Sequence, residues 1–410
     1  MEKKFIIILA EEYWYDVESN NYKFIKAKYL LNKIKENNDY DIKILKHPGE
    51  LLSSIDRLGK SNIKSIFIFQ DIFSDSFLNK ISISEMKKKM KSLQDDYGVN
   101  IYPGIDITDR FASKRYYLDL VNDMKYSALP GSRVYKILYE NNNDNQKIKD
   151  DLYKISGEML KEFDKIVIKK GYSYSGVQVR TFNKENFNDK NRFYEKLEQL
   201  NFKKFFDVGT NANIWEKNIT RYYILQGYNR IIKNRMNEYR VFFFNGKAKY
   251  IAWGDDLPNL CSEDFEKSSS NIYTVSDSNN EDDYDVLNKE SINMNKLNKL
   301  NPDLGVEILR FAKRVYADYL EIFWTNKIVE HPIIFRIDVS YALDKEFIDE
   351  HSINIKGFDS KVRLYVNELE VDPTHYFYNN LVCKKNNEVN TKYVQELTGG
   401  LINEYIKKIS

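Results

Sequence analysis

The sequence predicts an α/β and α+β protein of two or three lobes. Three observations carry this. Short apolar runs alternate with amphipathic stretches over the first hundred residues, longer strands and a hairpin turn follow in the second half, and 410 residues are too many for one simple domain.

The N-terminal elements read in order as a buried strand at 5–10, a helix at 22–35, a strand at 40–45, a helix near 50–58 and a strand at 63–69. This order favours a parallel sheet covered by helices. No GxGxxG follows the first strand, so no dinucleotide fingerprint is present there. Pro103–Gly104 forms a turn that opens the next unit. A helix is expected from Thr108 to Met124, a strand at 133–138, a polar loop at 141–151 and a helix at 152–163. Strands follow at 165–169, 177–181, 222–226 and 238–244, and the Asn245–Gly246 hairpin leads into 247–253. Residues 262–285 are polar without apolar period and read as a flexible insertion. Leu304, Ile308, Phe311, Val315, Tyr319 and Ile322 mark one face of a long helix, and two strands at 333–339 and 362–371 close the pattern.

Composition narrows the function. A hydrophobic fraction of 42% with 31 Tyr and 24 Phe supports a large aromatic core. Charged residues reach 30%, yet the formal net charge is only +2, which speaks against a general nucleic-acid or membrane-surface binder. The apolar run near the start is too short for a signal core or a membrane span. Cys261 and Cys383 lack CxxC spacing, and the four histidines lack HxxxH or HExxH spacing, so neither a disulfide framework nor a zinc site is indicated. The expectation is a cytoplasmic protein. Heavy use of Lys, Ile, Asn and Tyr suggests an AT-rich genome; for a large DNA virus the place would be host cytoplasm or virion.

Two segments carry chemistry. The first runs Ile166-Val167-Ile168-Lys169-Lys170-Gly171-Tyr172-Ser173-Tyr174-Ser175-Gly176. A strand ending in a lysine and followed by a Gly/Ser loop suits a triphosphate, because free backbone N–H groups and one cation can converge on it. It is not a Walker A loop, and a plain β-hairpin with a terminal lysine explains the same residues. The second segment is Phe335-Arg336-Ile337-Asp338-Val339, with Asn367-Glu368-Leu369-Glu370 some thirty residues on. Alternation puts Arg336 with Asp338 on one face, and Glu368 with Glu370 on one face. A solvated strand face would show the same charges, but the neighbours Ile333, Ile334, Val339, Leu364 and Val366 are core-like. Buried carboxylates need partners, and magnesium bound to phosphate is one that suits hard oxygens.

The order of these elements resembles the ATP-grasp superfamily, the D-alanine–D-alanine ligases and related carboxylate–amine ligases in particular. The resemblance covers about 101–374. It places Lys114, before Ala128-Leu129-Pro130, as the first ATP lysine, and Lys169 as the second, although Lys170 replaces the usual proline. The loop Gly171, Ser173, Ser175 and Gly176 would close over phosphate. Backbone at Gln226, Gly227 and Tyr228 would contact adenine. In Asn237-Glu238-Tyr239-Arg240-Val241, Glu238 would meet the ribose and Arg240 the phosphates. Arg336 would stabilise transferring charge as the catalytic residue, and Asp338, Glu368 and Glu370 would bind one or two magnesium ions. Glu370 stands where the family has asparagine.

The resemblance thus implies a three-lobed ATP-grasp fold: an N-terminal α/β domain at 1–100, a central domain with the ATP lid at 101–235, and a C-terminal lobe at 236–410. It implies ATP and Mg²⁺ as cofactors, a small-molecule or peptide substrate with a carboxylate, and a homodimer as an expected assembly, with no nucleic acid or membrane partner. The implied reaction joins carboxylate to amine through an acylphosphate. A hydroxyl kinase and a non-catalytic ATP sensor or scaffold are the alternatives. His375 reads as an ordinary loop or helix-start histidine, and the runs at 13–15, 242–244 and 376–378 read as core aromatics.

Overall fold

The computed structural model describes residues 4–10, 40–45, 48–69, 83–112, 114–137, 145–171, 179–200, 221–233, 237–253, 271–275, 287–288, 302–325 and 332–371, with 400, 403–404 and 406–407. The expected helix at 22–35 lies outside them.

Among the described residues, three sheets make the architecture mixed α/β and α+β. The first is parallel, with strands β1 (Phe5–Ala10), β2 (Asp41–Leu45), β3 (Ile63–Phe69) and β4 (Asn100–Tyr102) in the order β2-β1-β3-β4. Helix α1 (Pro48–Leu58) buries Leu51, Leu52 and Ile55 against it. Helix α2 (Ile83–Tyr97) buries Met86, Met90 and Leu93. Their spacing of four and three residues is that of one helix face, set beside the exposed run Lys88-Lys89.

Thr108 to Met124 is not one helix. Helix α3 (Ile105–Ala112) ends, Lys114 adopts φ 52°, and α4 (Tyr116–Asn122) begins anew. The left-handed conformation is costly for a residue with a Cβ, so the break is imposed by tertiary packing.

The second sheet is antiparallel, in the order β5-β8-β6-β7: β5 (Arg133–Ile137), β6 (Lys165–Lys170), β7 (Val179–Asn183) and β8 (Arg221–Gly227). Helices α5 (Asn145–Glu162), α6 (Lys184–Asn188) and α7 (Lys190–Glu198) pack on it. The expected loop at 141–151 is therefore helical from Asn145 onward, because Ile148 and Leu152 extend the buried stripe. Asn183 caps α6 by accepting from the Asn186 N–H, and Asp189 caps α7 by accepting from Asn191 and Arg192.

The third sheet is β12-β11-β10-β9-β13-β14: β9 (Glu238–Phe244), β10 (Lys247–Trp253), β11 (Asn271–Val275), β12 (Leu287–Asn288), β13 (Ile334–Ala342) and β14 (Arg363–Glu370). Asn245 and Gly246, at φ 46° and 81°, form the tight turn between β9 and β10. Within the polar stretch 262–285, Asn271–Val275 pairs with β10. Helix α8 (Pro302–Thr325) covers one face of this sheet. Leu304, Ile308, Val315 and Tyr319 are buried with Val241, Phe243, Phe335, Ile337 and Val339, and Tyr316 stacks on Phe243 at 4.6 Å. The opposite face carries the candidate site.

Candidate active site

Strand register builds the site. In β13, Phe335, Ile337 and Val339 point into the core, so Arg336, Asp338 and Ser340 point the other way. Arg240 of β9 lies opposite Asp338, and Glu238 opposite Ser340. On the other flank Glu370 of β14 is opposite Arg336, and Glu368 opposite Asp338. Cross-strand partners share a face, so the carboxylates and arginines expected at the site do stand together.

A β-bulge refines the arrangement. The register steps between Asp338 and Val339, and Val339 pairs with Val366, which leaves Asn367 as the extra residue. The Asn367 side chain donates from Nδ2 to Glu238 Oε2, and its carbonyl accepts from the Tyr117 hydroxyl. Sequence reasoning missed Asn367, although a signal exists. Leu364, Val366, Leu369 and Val371 all face the core, so the apolar alternation slips by one residue between 366 and 369.

The charged groups hold one another. Arg336 grips Asp338 with two bonds, Nε to Oδ1 at 2.7 Å and Nη2 to Oδ2 at 2.8 Å. Both are buried, Asp338 fully and Arg336 to 3% exposure. Burial pushes the Asp338 carboxyl above the ordinary carboxylate range against the pull of Arg336. Arg240 donates from Nη2 to Glu238 Oε1 at 3.0 Å and has Nε 3.7 Å from Asp338 Oδ2. Lys114 reaches from its left-handed turn to Glu368, Nζ to Oε1 at 2.8 Å. Burial pulls its ammonium down, but Glu368, with Glu370 and Asp338, outweighs this and leaves it above the usual lysine value.

Lys169 enters from the second sheet. It pairs with Ile224 of β8, and its Nζ lies over the Tyr117 ring at 6.0 Å. Burial, then the charge of Lys114, lower its pKa to about 8, against the pull of Glu368 and Glu238. Gly171 ends β6, with its N–H donating to the Tyr222 carbonyl at 2.9 Å; a Cβ there would meet the Tyr222 ring at 2.7 Å. Ser173, Ser175 and Gly176 lie outside the described residues. Gln226 shares Ile224's face by alternation, but its amide is buried and donates to Ser132 Oγ at 3.1 Å. The Tyr228 N–H is taken by the Lys165 carbonyl at 2.8 Å. At Gly227 a Cβ would press on the rings of Phe163 and Phe347 at 2.7 and 2.8 Å. Beyond it Asn229, also missed from sequence, is buried and donates to the Tyr341 carbonyl at 2.7 Å and the Tyr365 hydroxyl at 3.0 Å.

The donors fit a metal–phosphate group in kind. Asp338, Glu368 and Glu370 offer hard oxygens on one sheet face, and Arg336 Nη1 is buried with no hydrogen-bond partner among the described residues. As they stand, no three acidic, His or Cys side chains among the described residues form a ready metal cluster, and Asp338 and Glu368 are paired with Arg336 and Lys114. No helix among the described residues is long and apolar enough to cross a membrane.

No protein-family model matches the sequence, and no curated protein matches it. Solved structures do resemble it. D-cycloserine synthetase DcsG is 11% identical over 98% of this chain and 99% of its own, with a TM-score of 0.48. A D-alanine–D-alanine ligase from Bacillus anthracis is 11% identical over 99% and 98%, with a TM-score of 0.49. The ATP-grasp ligase PsnB, complexed with a minimal precursor, is 8% identical over 100% of both chains, with a TM-score of 0.43. Likeness at this level assigns no residue roles, and the functional reading rests on the site's own geometry.

Proposed function

We propose that this chain is an ATP-grasp ligase that joins a carboxylate to an amine through an acylphosphate. The supporting observation is the charge constellation on one face of the third sheet. Lys114, Lys169, Arg240 and Arg336 are set among Glu238, Asp338, Glu368 and Glu370, so the formal charges cancel. A nucleoside triphosphate would bring roughly four negative charges to this balanced site, which a divalent cation would help to offset. Asp338, Glu368 and Glu370 would hold one or two Mg²⁺ ions, whose positive charge, when bound, offsets that of the phosphates.

The chain's own residues do the rest. Lys114 and Arg336 exchange carboxylate partners for phosphate oxygens, and the orphan Arg336 Nη1 gains an acceptor. Lys169 adds its charge from the second sheet. The substrate carboxylate oxygen attacks the γ-phosphorus, the bond to the bridging oxygen breaks, and ADP leaves. An amine nitrogen then attacks the acyl carbon, expelling phosphate, with the amine proton released. Positioning and fixed charge supply most of the rate in such transfers. The substrate is a small molecule or peptide bearing a carboxylate.

The test is incubation with ATP, Mg²⁺ and pools of amino acids and peptides, read by mass spectrometry. The ligase reading expects ADP, phosphate and an amide. A product that retains phosphate would instead make the chain a kinase, and bound ATP without turnover across the pools would make it a sensor. Asp338→Asn should lower turnover by about 10²–10³-fold, the scale of a single electrostatic contributor. Unchanged turnover would rule out the metal assignment.

A further inference from the structure

Two cations hold carboxylates of the candidate site, and they differ in freedom. Arg336 stands on the same strand as Asp338, two residues away, buried and bonded through two nitrogens. Lys114 comes from a separate element, and its side chain, 16% exposed, meets that of Glu368, 30% exposed. We infer that Lys114 is a built-in competitor for the cation: it keeps Glu368 closed to a free divalent ion and releases it when a polyphosphate takes the ammonium in exchange. The inference rests on the nucleotide reading above and adds to it a selectivity for metal that arrives with nucleotide.

The turn between α3 and α4 aims the lysine. Lys114 holds φ 52°, a left-handed backbone that a Cβ makes costly. Its N–H donates to the Phe111 carbonyl at 3.0 Å, and its carbonyl accepts from the Tyr117 N–H at 3.0 Å, so the turn is fixed on both sides. The Tyr117 hydroxyl ties the start of α4 to the Asn367 carbonyl, next in the chain to Glu368. Held in this way, the turn brings Lys114 Nζ to 2.8 Å from Glu368 Oε1. An ammonium there occupies an oxygen that a hard divalent cation needs, and it repels that cation as a like charge. Arg336 cannot step aside, being buried on the strand it serves, but rotation in the flexible stem of Lys114 frees its ammonium while the turn stays in place. A phosphate oxygen is an equal partner for an ammonium, so a polyphosphate can draw Lys114 away and leave Glu368 to a metal ion. Metal and polyphosphate then each favour the binding of the other.

The experiment measures Mn²⁺ binding to the full chain without nucleotide, from the electron paramagnetic resonance signal of the free ion; Mn²⁺ takes the same hard oxygen ligands as Mg²⁺. The proteins are wild type, Lys114→Met, Lys114→Gly and Lys125→Met. Glycine accepts the left-handed turn without strain, so Lys114→Gly keeps the fold if methionine does not. Lys125, exposed shortly after α4, controls for the loss of one positive charge. Both Lys114 variants should bind Mn²⁺ about tenfold or more tightly than wild type, the scale of one charge acting on another at contact distance. Lys125→Met should match wild type. Equal affinity in wild type and the Lys114 variants, or the same gain in Lys125→Met, overturns the competitor role and leaves nucleotide binding standing. Wild-type protein that binds no ATP in the presence of Mn²⁺ overturns the nucleotide reading, and with it the exchange, even where the Lys114 variants gain.

Discussion

Lys169 shows how a single residue carries a functional signature. Its ammonium is held down to about 8 by burial and by Lys114. Phosphate arriving as proposed would restore the charge, so in the complex its pKa would lie higher than in the free protein. Below pH 8 the lysine is charged in both states and affinity does not change on this account. Above pH 8 the free protein has lost the proton that the complex holds, so binding takes up a proton and affinity falls, by about tenfold per pH unit while the complex stays protonated. Titration calorimetry across pH 7–10, in buffers of different ionisation enthalpy, reads both the slope and the proton uptake. Lys169→Arg should flatten the slope, because guanidinium stays charged. A flat wild-type profile would contradict the placement of Lys169 beside phosphate. Lys169 itself was legible in the sequence as a charge ending an apolar strand. Its lowered pKa was not, because its burial and the approach of Lys114, 55 positions away in the chain, arise only from tertiary packing.

At the scale of elements, strands were the most legible part. Alternation along Ile334–Ala342, and along the last residues of Arg363–Glu370 beyond its one-residue slip, places Arg336 with Asp338, and Glu368 with Glu370, before any register is known. Helices were read less well where local signals competed. Lysines obscured the stripe of Met86, Met90 and Leu93, and continuous helix propensity across 108–124 hid the left-handed break at Lys114. The end of β8 depends on close packing that only glycine permits. Phe163 and Phe347 stack at 5.4 Å against Gly227. Gly227→Ala should therefore destabilise the protein by about 1–3 kcal/mol, the usual cost of overpacking. Denaturant unfolding checks this, and an unchanged free energy would mean that the segment is looser than its packing indicates.

At the scale of the whole molecule, the site exists only because two sheets meet. The carboxylates and arginines stand on the third sheet, Lys169 comes from the second, and Lys114 and Tyr117 come from the turn and helix between the first two. Specific polar ties hold this meeting in place. Asn229 joins the end of β8 to β13 and β14, while buried Arg363 of β14 donates from Nη1 to the Tyr126 carbonyl at 2.5 Å and pairs with Asp349 at 2.7 Å. None of these ties follows a sequence period, which is why none was foreseen. The central claim is that the assembled charges bind ATP with a divalent cation. Its most direct measurement is the equilibrium binding of ATP to the full chain, with and without Mg²⁺, for wild type, Lys169→Ala and Asp338→Asn. The account predicts saturable binding at one site per chain that depends on Mg²⁺ and weakens about tenfold or more in each variant, the scale of a lost charge-assisted contact. No binding by the wild type, or equal binding by all three proteins, would contradict it.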